Sequence, residues 1–115
     1  MHEKLVVWME AYALCKQMYE ITACFPSHER FGLISQMRRS SFSVPANIAE
    51  GNVKQSHRDK KHFLEIASAS LEELHMSTLL ARDLTYITDE VFDQMDDRIN
   101  RISYLLMKFS RSLTL

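Results

Sequence analysis

The chain has 115 residues, a net charge of −1 and 46% hydrophobic residues, which is enough for one folded domain with a buried core. Only two Gly and two Pro occur, so the turn residues that a β-rich fold needs are scarce. Seven Met, together with frequent Leu, Ala, Glu, Lys and Arg, favour helices. We therefore predict an all-α chain with a single domain over residues 1–115.

The first segment predicts a helix from about Glu3 to Cys24, which the Phe25-Pro26 pair ends. Its apolar residues recur at the 3-4-3-4 spacing of a bundle seam: Leu5, Trp8, Tyr12, Cys15 and Tyr19. On this helix Cys15 and Cys24 would be about 13.5 Å apart, too far for a disulfide. Reduced thiols and the absence of a signal-peptide pattern favour a cytoplasmic protein.

A second helix, beginning near Phe31 or Gly32, contains a proline in its middle. One face is mostly apolar: Ile34, Met37, Ser41, Val44 and Ile48. The opposite stripe is polar: Gln36, Ser40, Ser43, Asn47 and Glu50. Pro45 has no N–H for the Ser41 carbonyl and predicts a kink, near which three serines are available to hydrogen-bond freed backbone groups. Gly51 predicts a left-handed C-cap.

Two further amphipathic helices follow. Ser56 is a good N-cap with Asp59 three residues later, and the third helix is expected to run to about Leu84. Its seam consists of Phe63, Ala67, Ser70, Leu74, Ser77, Ala81 and Leu84. Thr88 or Asp89 caps the fourth helix, whose unbroken seam is the clearest in the chain: Phe92, Met95, Ile99, Ile102, Leu106, Phe109 and Leu113.

Four amphipathic helices with short connections predict an antiparallel up-down-up-down four-helix bundle with a proline-kinked second helix. Apolar residues outside the seams predict another buried face and self-association: Val6, Phe42, Leu64, Leu105 and Met107. No apolar run approaches the 18 residues of a membrane span, so no membrane association is expected.

The sequence does not contain a recognisable catalytic or metal constellation. Glu72-x-x-His75 has the spacing of di-iron bundle ligands, but such sites need two copies and two more Glu, and only one copy occurs. A Gly-rich phosphate loop, G-x-S-x-G and H-E-x-x-H are all missing. We therefore expect neither an enzyme nor a bound cofactor or metal.

Charge is unevenly distributed along the chain. Residues 1–26 carry −1, residues 27–61 carry +4 and residues 62–115 carry −4. The basic middle is either a surface for nucleic acid or an acidic partner, or a solvated face paired with the acidic last third. Arg38 and Arg39 point about 100° apart on a helix. A structural role is favoured for Arg38, while Arg39 is left open between structure and phosphate contact.

The segments Gln36-Met-Arg-Arg-Ser40 and Ser43-Val-Pro-Ala-Asn-Ile-Ala-Glu-Gly51 resemble the signature of the 23S rRNA intervening-sequence protein family. The likeness also includes Phe31-Gly-Leu33 and several third-helix pairs, and covers nearly the whole chain. Two positions depart from the family pattern: Ala69 replaces the usual Gly, and His75 replaces a frequent Glu.

This resemblance implies an up-down bundle, often a ring-shaped homopentamer, without enzymatic activity. Some members are encoded within insertions in bacterial 23S rRNA genes. A related branch resembles the accessory protein of diversity-generating retroelements, which is strongly basic and binds nucleic acid and a reverse transcriptase. The signature positions carried over are Gln36, Arg38, Arg39, Pro45, Asn47, Glu50 and Gly51.

Two functions are therefore weighed. The first is an oligomeric adaptor that binds RNA or DNA through the middle region, with candidate phosphate contacts at Arg39, Lys54, Arg58, Lys60 and Lys61. The second is a homo-oligomeric scaffold that binds a protein partner and no nucleic acid. In the second case, the signature serves assembly.

Overall fold

The computed structural model describes the backbone of residues 2–113 and the side chains of residues 4–113. It contains four long helices: α1 (His2–Thr22), α2 (Leu33–Asn52), α3 (His57–Asp83) and α4 (Asp89–Ser112). A short 3₁₀ helix, Ser27–Glu29, lies between α1 and α2. There is no strand within the described part of the chain, which confirms the all-α prediction.

The helices occupy the four corners of a bundle. Helix α1 packs against α2 and α4, and α3 packs against the same two helices. Helices α1 and α3 are therefore diagonal to each other, as are α2 and α4. Short connections make successive helices antiparallel, as predicted. The bundle measures 46 × 25 × 18 Å, and α2 with α3 forms its most extensive helix pair.

The core is aliphatic along the whole length of the bundle. In α4 the predicted seam is confirmed, since Phe92, Met95, Ile99, Ile102 and Leu106 are buried and Phe109 and Leu113 are half-buried. In α3 most of the predicted seam is buried or half-buried, but Leu84 is exposed, and Leu64 and Leu71 also belong to the core. None of the described helices is long and apolar enough to cross a membrane.

The predicted seam of α1 is wrong for most of its residues. The buried face consists of Val7, Ala11, Leu14, Met18 and Thr22, together with Cys15. Leu5, Tyr12 and Tyr19 are largely exposed instead. Helix α1 carries two apolar stripes. The aliphatic one, with the small Ala11, packs closely against its neighbours. On the aromatic one Tyr12 and Tyr19 are exposed, while Trp8 is half-buried against the core.

The structure confirms the N-caps that the sequence predicts, but it does not contain the predicted left-handed C-cap at Gly51. Ser56 Oγ accepts from the Asp59 N–H at 3.1 Å, and Thr88 Oγ1 accepts from the Val91 N–H at 3.1 Å. Gly51 was expected as a left-handed cap, but it lies inside α2, whose C-cap is Val53 in a right-handed conformation. Among the described residues, the positive φ belongs to Thr85, at 63°.

Helix α2 continues through Pro45, whose side chain is buried. The nearby serine hydroxyls bond carbonyls of the preceding turn: Ser40 donates to Gln36 at 3.0 Å, and Ser41 to Arg38 at 3.1 Å. The predicted apolar face is largely buried, with Met37, Ser41, Val44 and Ile48 inside and Ile34 half-buried. The kink itself stays a prediction.

Both cysteines are free thiols. Cys15 is buried beside Ser41, whose hydroxyl lies 3.8 Å from the Cys15 sulfur. Cys24 is exposed and lies just beyond the end of α1 rather than on it, because that helix ends two residues earlier than predicted.

Candidate functional site

The polar stripe of α2 faces both α3 and solvent. Ser43 Oγ and Ser70 Oγ are 2.7 Å apart across the two helices, and the Asn47 amide donates to Ser43 Oγ at 2.9 Å. Two turns earlier, the Gln36 amide donates to the Glu73 carboxylate of α3. These contacts form a polar seam along the most extensive helix pair of the bundle.

Arg38 ties α2 to α1. Its Nε donates to Thr22 Oγ1 at 2.8 Å and its Nη2 donates to the Tyr19 carbonyl at 3.2 Å. The guanidinium also lies 4.7 Å from the centre of the Tyr19 ring, within the range of a cation–π contact. Thr22 is fully buried, so Arg38 supplies hydrogen bonds to polar groups at the end of α1.

Gly51 permits the close approach of α2 to the start of α3. A Cβ at this position would lie 3.1 Å from the Phe63 Cβ and 3.3 Å from the Lys60 carbonyl oxygen. Both distances are shorter than ordinary van der Waals contact, so a larger residue would push α3 away. Glycine at this position therefore serves close packing of α2 on α3 rather than a special backbone conformation.

The remaining signature positions differ in their surroundings. Glu50 forms an exposed ion pair with Lys54 at 3.4 Å. Arg39 is exposed and forms no hydrogen bond, ion pair or ring contact with any residue that the structure describes. Most of the signature thus holds α1, α2 and α3 together within one chain, and Arg39 is available for another molecule.

The structure brings four of the five candidate phosphate-binding residues together. Lys54, Arg58, Lys60 and Lys61 lie in the α2–α3 connection and the first turn or two of α3. Arg39 does not join them, because the 13 residues from it to the end of α2 correspond to about 20 Å of helix. The five residues therefore do not form one continuous surface.

Three cations that were not among the candidates lie at the same end of the bundle. Lys4, near the start of α1, lines a groove with Val53 at the end of α2. Arg111, near the end of α4, lines another groove with Leu64 and Glu65 of α3, and Lys108 precedes it by one turn. We call this the basic end: Lys4, Lys54, Arg58, Lys60, Lys61, Lys108 and Arg111.

The basic end is not uniformly positive, since Glu50, Asp59 and Glu65 also lie there. Its cations differ in availability. Lys54 is paired with Glu50 and lies 5.1 Å from the Phe63 ring centre, while Lys60 donates to the Asn52 carbonyl at 3.2 Å. Arg58 is exposed without such a contact to any described residue, which makes it the most available of the four predicted cations at this end.

The opposite end of the bundle is rich in carboxylates. Its charged residues are Glu20, Glu29, Arg30, Arg82, Asp83, Asp89, Glu90 and Asp93. Here the Tyr86 hydroxyl donates to Glu29 Oε2 at 2.8 Å, and the Leu33 N–H donates to Glu29 Oε1 at 3.1 Å. The Leu33 N–H and then the Tyr86 hydroxyl lower the pKa of Glu29, and the bond to Glu29 raises the pKa of Tyr86.

The Glu-x-x-His spacing in α3 does not assemble a cluster of ligands. His75 Nε2 lies 2.9 Å from Asp96 Oδ1 of α4, and Glu72 is exposed. Among the described residues, no three His, Cys, Asp or Glu side chains are grouped so that they could hold a metal ion. The departure at His75 therefore places an imidazole, rather than a second carboxylate, against Asp96.

Ala69, the other departure from the family pattern, is exposed on α3. It therefore does not control how closely α2 and α3 approach within the chain. The open groove that Lys4 and Val53 line has a volume of about 380 Å³ and lies between the start of α1 and the end of α2. Its other lining residues, such as Leu5 and Trp8, are mainly apolar.

Comparisons agree with the bundle and its signature. The chain belongs to the family described as 23S rRNA-intervening sequence protein, whose model matches residues 3–108. A solved structure of a protein with unknown function from the S23 ribosomal protein family, from Bacteroides thetaiotaomicron, superposes with a TM-score of 0.88 at 24% sequence identity. That superposition covers 95% of this chain and 98% of the other, and it shows a common fold. Among the curated proteins, none matches this chain.

Proposed function

We propose that this protein is a non-enzymatic, homo-oligomeric, cytoplasmic bundle, a pentamer as the family resemblance implies, that binds RNA or DNA through its basic end. The observation that carries the proposal is the convergence of cations from all four helices, or their connections, at one end of the molecule. Arginine and lysine at such a surface neutralise phosphates without reading the sequence of bases.

The basic end supports phosphate contacts more than base contacts. Arg58 is exposed and unengaged by described residues, while Lys54 and Lys60 have only exposed partners within the chain. Phe63, the aromatic side chain nearest these cations, is half-buried beneath Lys54 and beside His62. Stacking of unpaired bases needs accessible aromatic faces, so phosphate-directed binding of a structured duplex is favoured.

The test is a titration of structured rRNA and duplex DNA at several salt concentrations. Arg58→Ala and the double variant Lys60→Ala/Lys61→Ala remove cations from the basic end, while Arg30→Ala removes one from the opposite end. If four cations contact phosphates, the slope of log K against log salt on duplex DNA is about −3.6, and each lost cation reduces it by roughly one. Arg39→Ala shows whether Arg39, which lies apart from the basic end, contributes to nucleic-acid binding.

Binding that weakens in the basic-end variants but not in Arg30→Ala supports the proposal. Absence of binding by wild-type protein at low salt removes nucleic acid as the partner.

A second candidate function, a scaffold for a protein partner, is favoured by the aromatic stripe of α1. Leu5 is 55% exposed, and Met9, Tyr12 and Tyr19 are also largely exposed along the same helix. Surfaces of this kind on one helix are typical of protein contacts. If the titrations detect no nucleic acid binding while the oligomer persists, this scaffold becomes the better function.

A further inference from the structure

We infer that the oligomer forms when the outer face of α2 in one copy packs, in parallel and in register, against the outer face of α4 in the next. This inference rests on the proposed homo-oligomer and specifies its interface. The α2 stripe consists of Arg39, Phe42, Ala46, Ala49 and Val53. The α4 stripe consists of Asp97, Asn100, Tyr104, Met107 and Arg111.

The two stripes have the same spacing, and all of their residues are exposed. Each follows the 3-4-3-4 repeat of a helix–helix seam, and all ten residues are exposed in the single chain. Phe42 is 61% exposed and Tyr104 57% exposed, although both carry large rings. At their C-terminal ends the stripes border grooves within the chain: Ala49 and Val53 face one beside α1, and Met107 and Arg111 face one beside α3.

Contacts inside the chain show that the stripes lie at the same height along the bundle axis. Ser43 of α2 faces Ser70 of α3, and His75 of α3 faces Asp96 of α4. Ser70 lies five residues before His75 in α3. Because α3 and α4 are antiparallel, the residue of α4 at the height of Ser70 lies five residues after Asp96, which is Arg101. Ser43 is therefore level with Arg101, and Arg39 is level with Asp97.

A second route through α1 gives the same register to within one residue. Ser41 of α2 faces Cys15 of α1, and Gln17 of α1 accepts from Arg98 of α4 at 3.0 Å. Cys15 lies two residues before Gln17 in α1. Because α1 and α4 are antiparallel, its height corresponds to the residue two after Arg98 in α4, which places Ser41 level with Asn100. Helices α2 and α4 run in the same direction, so every position of one stripe has a counterpart in the other.

The paired positions are chemically complementary. Arg39 and Asp97 are opposite charges at one height, and neither forms a contact with another described residue. Tyr104 is level with Ala46, and Ala46 and Ala49 are small residues between the larger Phe42 and Val53. In the proposed interface the tyrosine ring of the next copy packs over these two alanines.

The position of the stripes determines the type of assembly. Helices α2 and α4 occupy diagonal corners, so the two stripes are on opposite sides of the molecule. Different patches on opposite sides form a heterologous contact, which closes into a ring when the rotation between copies permits it. In this register neighbouring copies are not displaced along the bundle axis. A ring with cyclic symmetry about an axis parallel to the bundle requires this.

The experiment is a charge exchange, measured by light scattering after size-exclusion chromatography in the absence of nucleic acid. Arg39→Asp and Asp97→Arg are each expected to shift the protein toward monomer, with at least a tenfold rise in dissociation constant. The double variant Arg39→Asp/Asp97→Arg is expected to restore the oligomer. Tyr104→Ala tests the tyrosine contact independently, and circular dichroism verifies that each variant retains its helices.

Arg30→Asp and Glu72→Arg are the matched controls, since both change exposed charges outside the two stripes. They should leave the oligomer unchanged. Wild-type protein that is monomeric at high concentration would contradict the proposed oligomer itself. An oligomeric wild type whose size is unaffected by Arg39→Asp, Asp97→Arg and Tyr104→Ala would overturn this interface alone.

Discussion

Thr85 occupies the left-handed position at the end of α3 that glycine usually takes. The Tyr86 N–H bonds the Ala81 carbonyl at 2.9 Å and the Thr85 N–H bonds the Arg82 carbonyl at 2.9 Å, so this end resembles a Schellman motif. A β-branched side chain at φ 63° is strained. Thr85→Gly should therefore stabilise the protein by about 1 kcal/mol, which raises Tm by roughly 4 °C.

Thr85→Ala is the matched comparison for this change. It removes the branch but retains Cβ, so its gain should be smaller than that of glycine. Thermal denaturation followed by circular dichroism measures both variants. Equal or lower Tm for Thr85→Gly would show that the strain is already relieved by the surrounding loop.

The hydrogen bond between Tyr86 and Glu29 predicts a pH-dependent stability difference. The lowered pKa of Glu29 adds stability above its ordinary value of 4.5, and this is lost as pH falls through the folded-state pKa. The raised pKa of Tyr86 adds stability below 10.0 that is lost as pH rises through its folded-state value. Tyr86→Phe should lower Tm at pH 7, and the difference should narrow in acid.

Tyr12→Phe is a suitable control for this measurement, because Tyr12 is exposed, lies outside the α2 and α4 stripes and retains its ring. It should leave Tm unchanged from pH 3 to pH 9. A constant deficit for Tyr86→Phe over that range would mean that the Glu29 carboxylate does not contribute through its charge.

At the scale of the helix, Pro45 divides the α2 stripe into two parts. Arg39 and Phe42 precede it, while Ala46, Ala49 and Val53 follow. Pro45→Ala regains a backbone hydrogen bond and should increase helicity. If α2 is kinked at Pro45 as predicted, the change should also weaken the oligomer about tenfold, because it shifts one half of the α2 stripe relative to the α4 stripe. Circular dichroism and light scattering over a dilution series measure the two effects.

Increased helicity with an unchanged oligomer would show that the proline is merely tolerated. Reduced helicity would mean that the buried proline ring is needed for the packing of α2 in the bundle.

The helices differ in how well the sequence identifies their buried faces. Helix α4 has one apolar stripe, so its periodicity was sufficient to predict the face. Helix α1 has an aliphatic and an aromatic stripe at similar spacing, and periodicity alone cannot distinguish between them. The choice depends on how closely Ala11 lets a neighbouring helix approach, which is a property of the assembled bundle.

The candidate site was only partly predictable for a related reason. The cations from Lys54 to Lys61 are close in sequence, so a local charge count identifies them. Lys4 and Arg111 are at opposite ends of the chain, and only the up-down fold brings them to the same place. The role of Gly51 was likewise misjudged, because its close contact with Phe63 involves a different helix.

At the scale of the whole molecule, a net charge of −1 conceals a strong separation of charge. Cations collect where α1 begins and α4 ends, and carboxylates collect where α4 begins. The separation extends along the longest dimension, 46 Å, which is several times the screening length of physiological salt, about 8 Å. Each end is therefore sensed almost independently by a charged partner.

This separation gives the molecule an electric dipole moment directed along the bundle. Near a polyanion the field exerts a torque that turns the lysine-rich end forward before any atom touches, while the carboxylate-rich end is repelled. Diffusional encounters are thereby biased toward productive orientations, and added salt removes the bias. We therefore expect this protein to approach a polyanion end-on, because of where its helices begin and end.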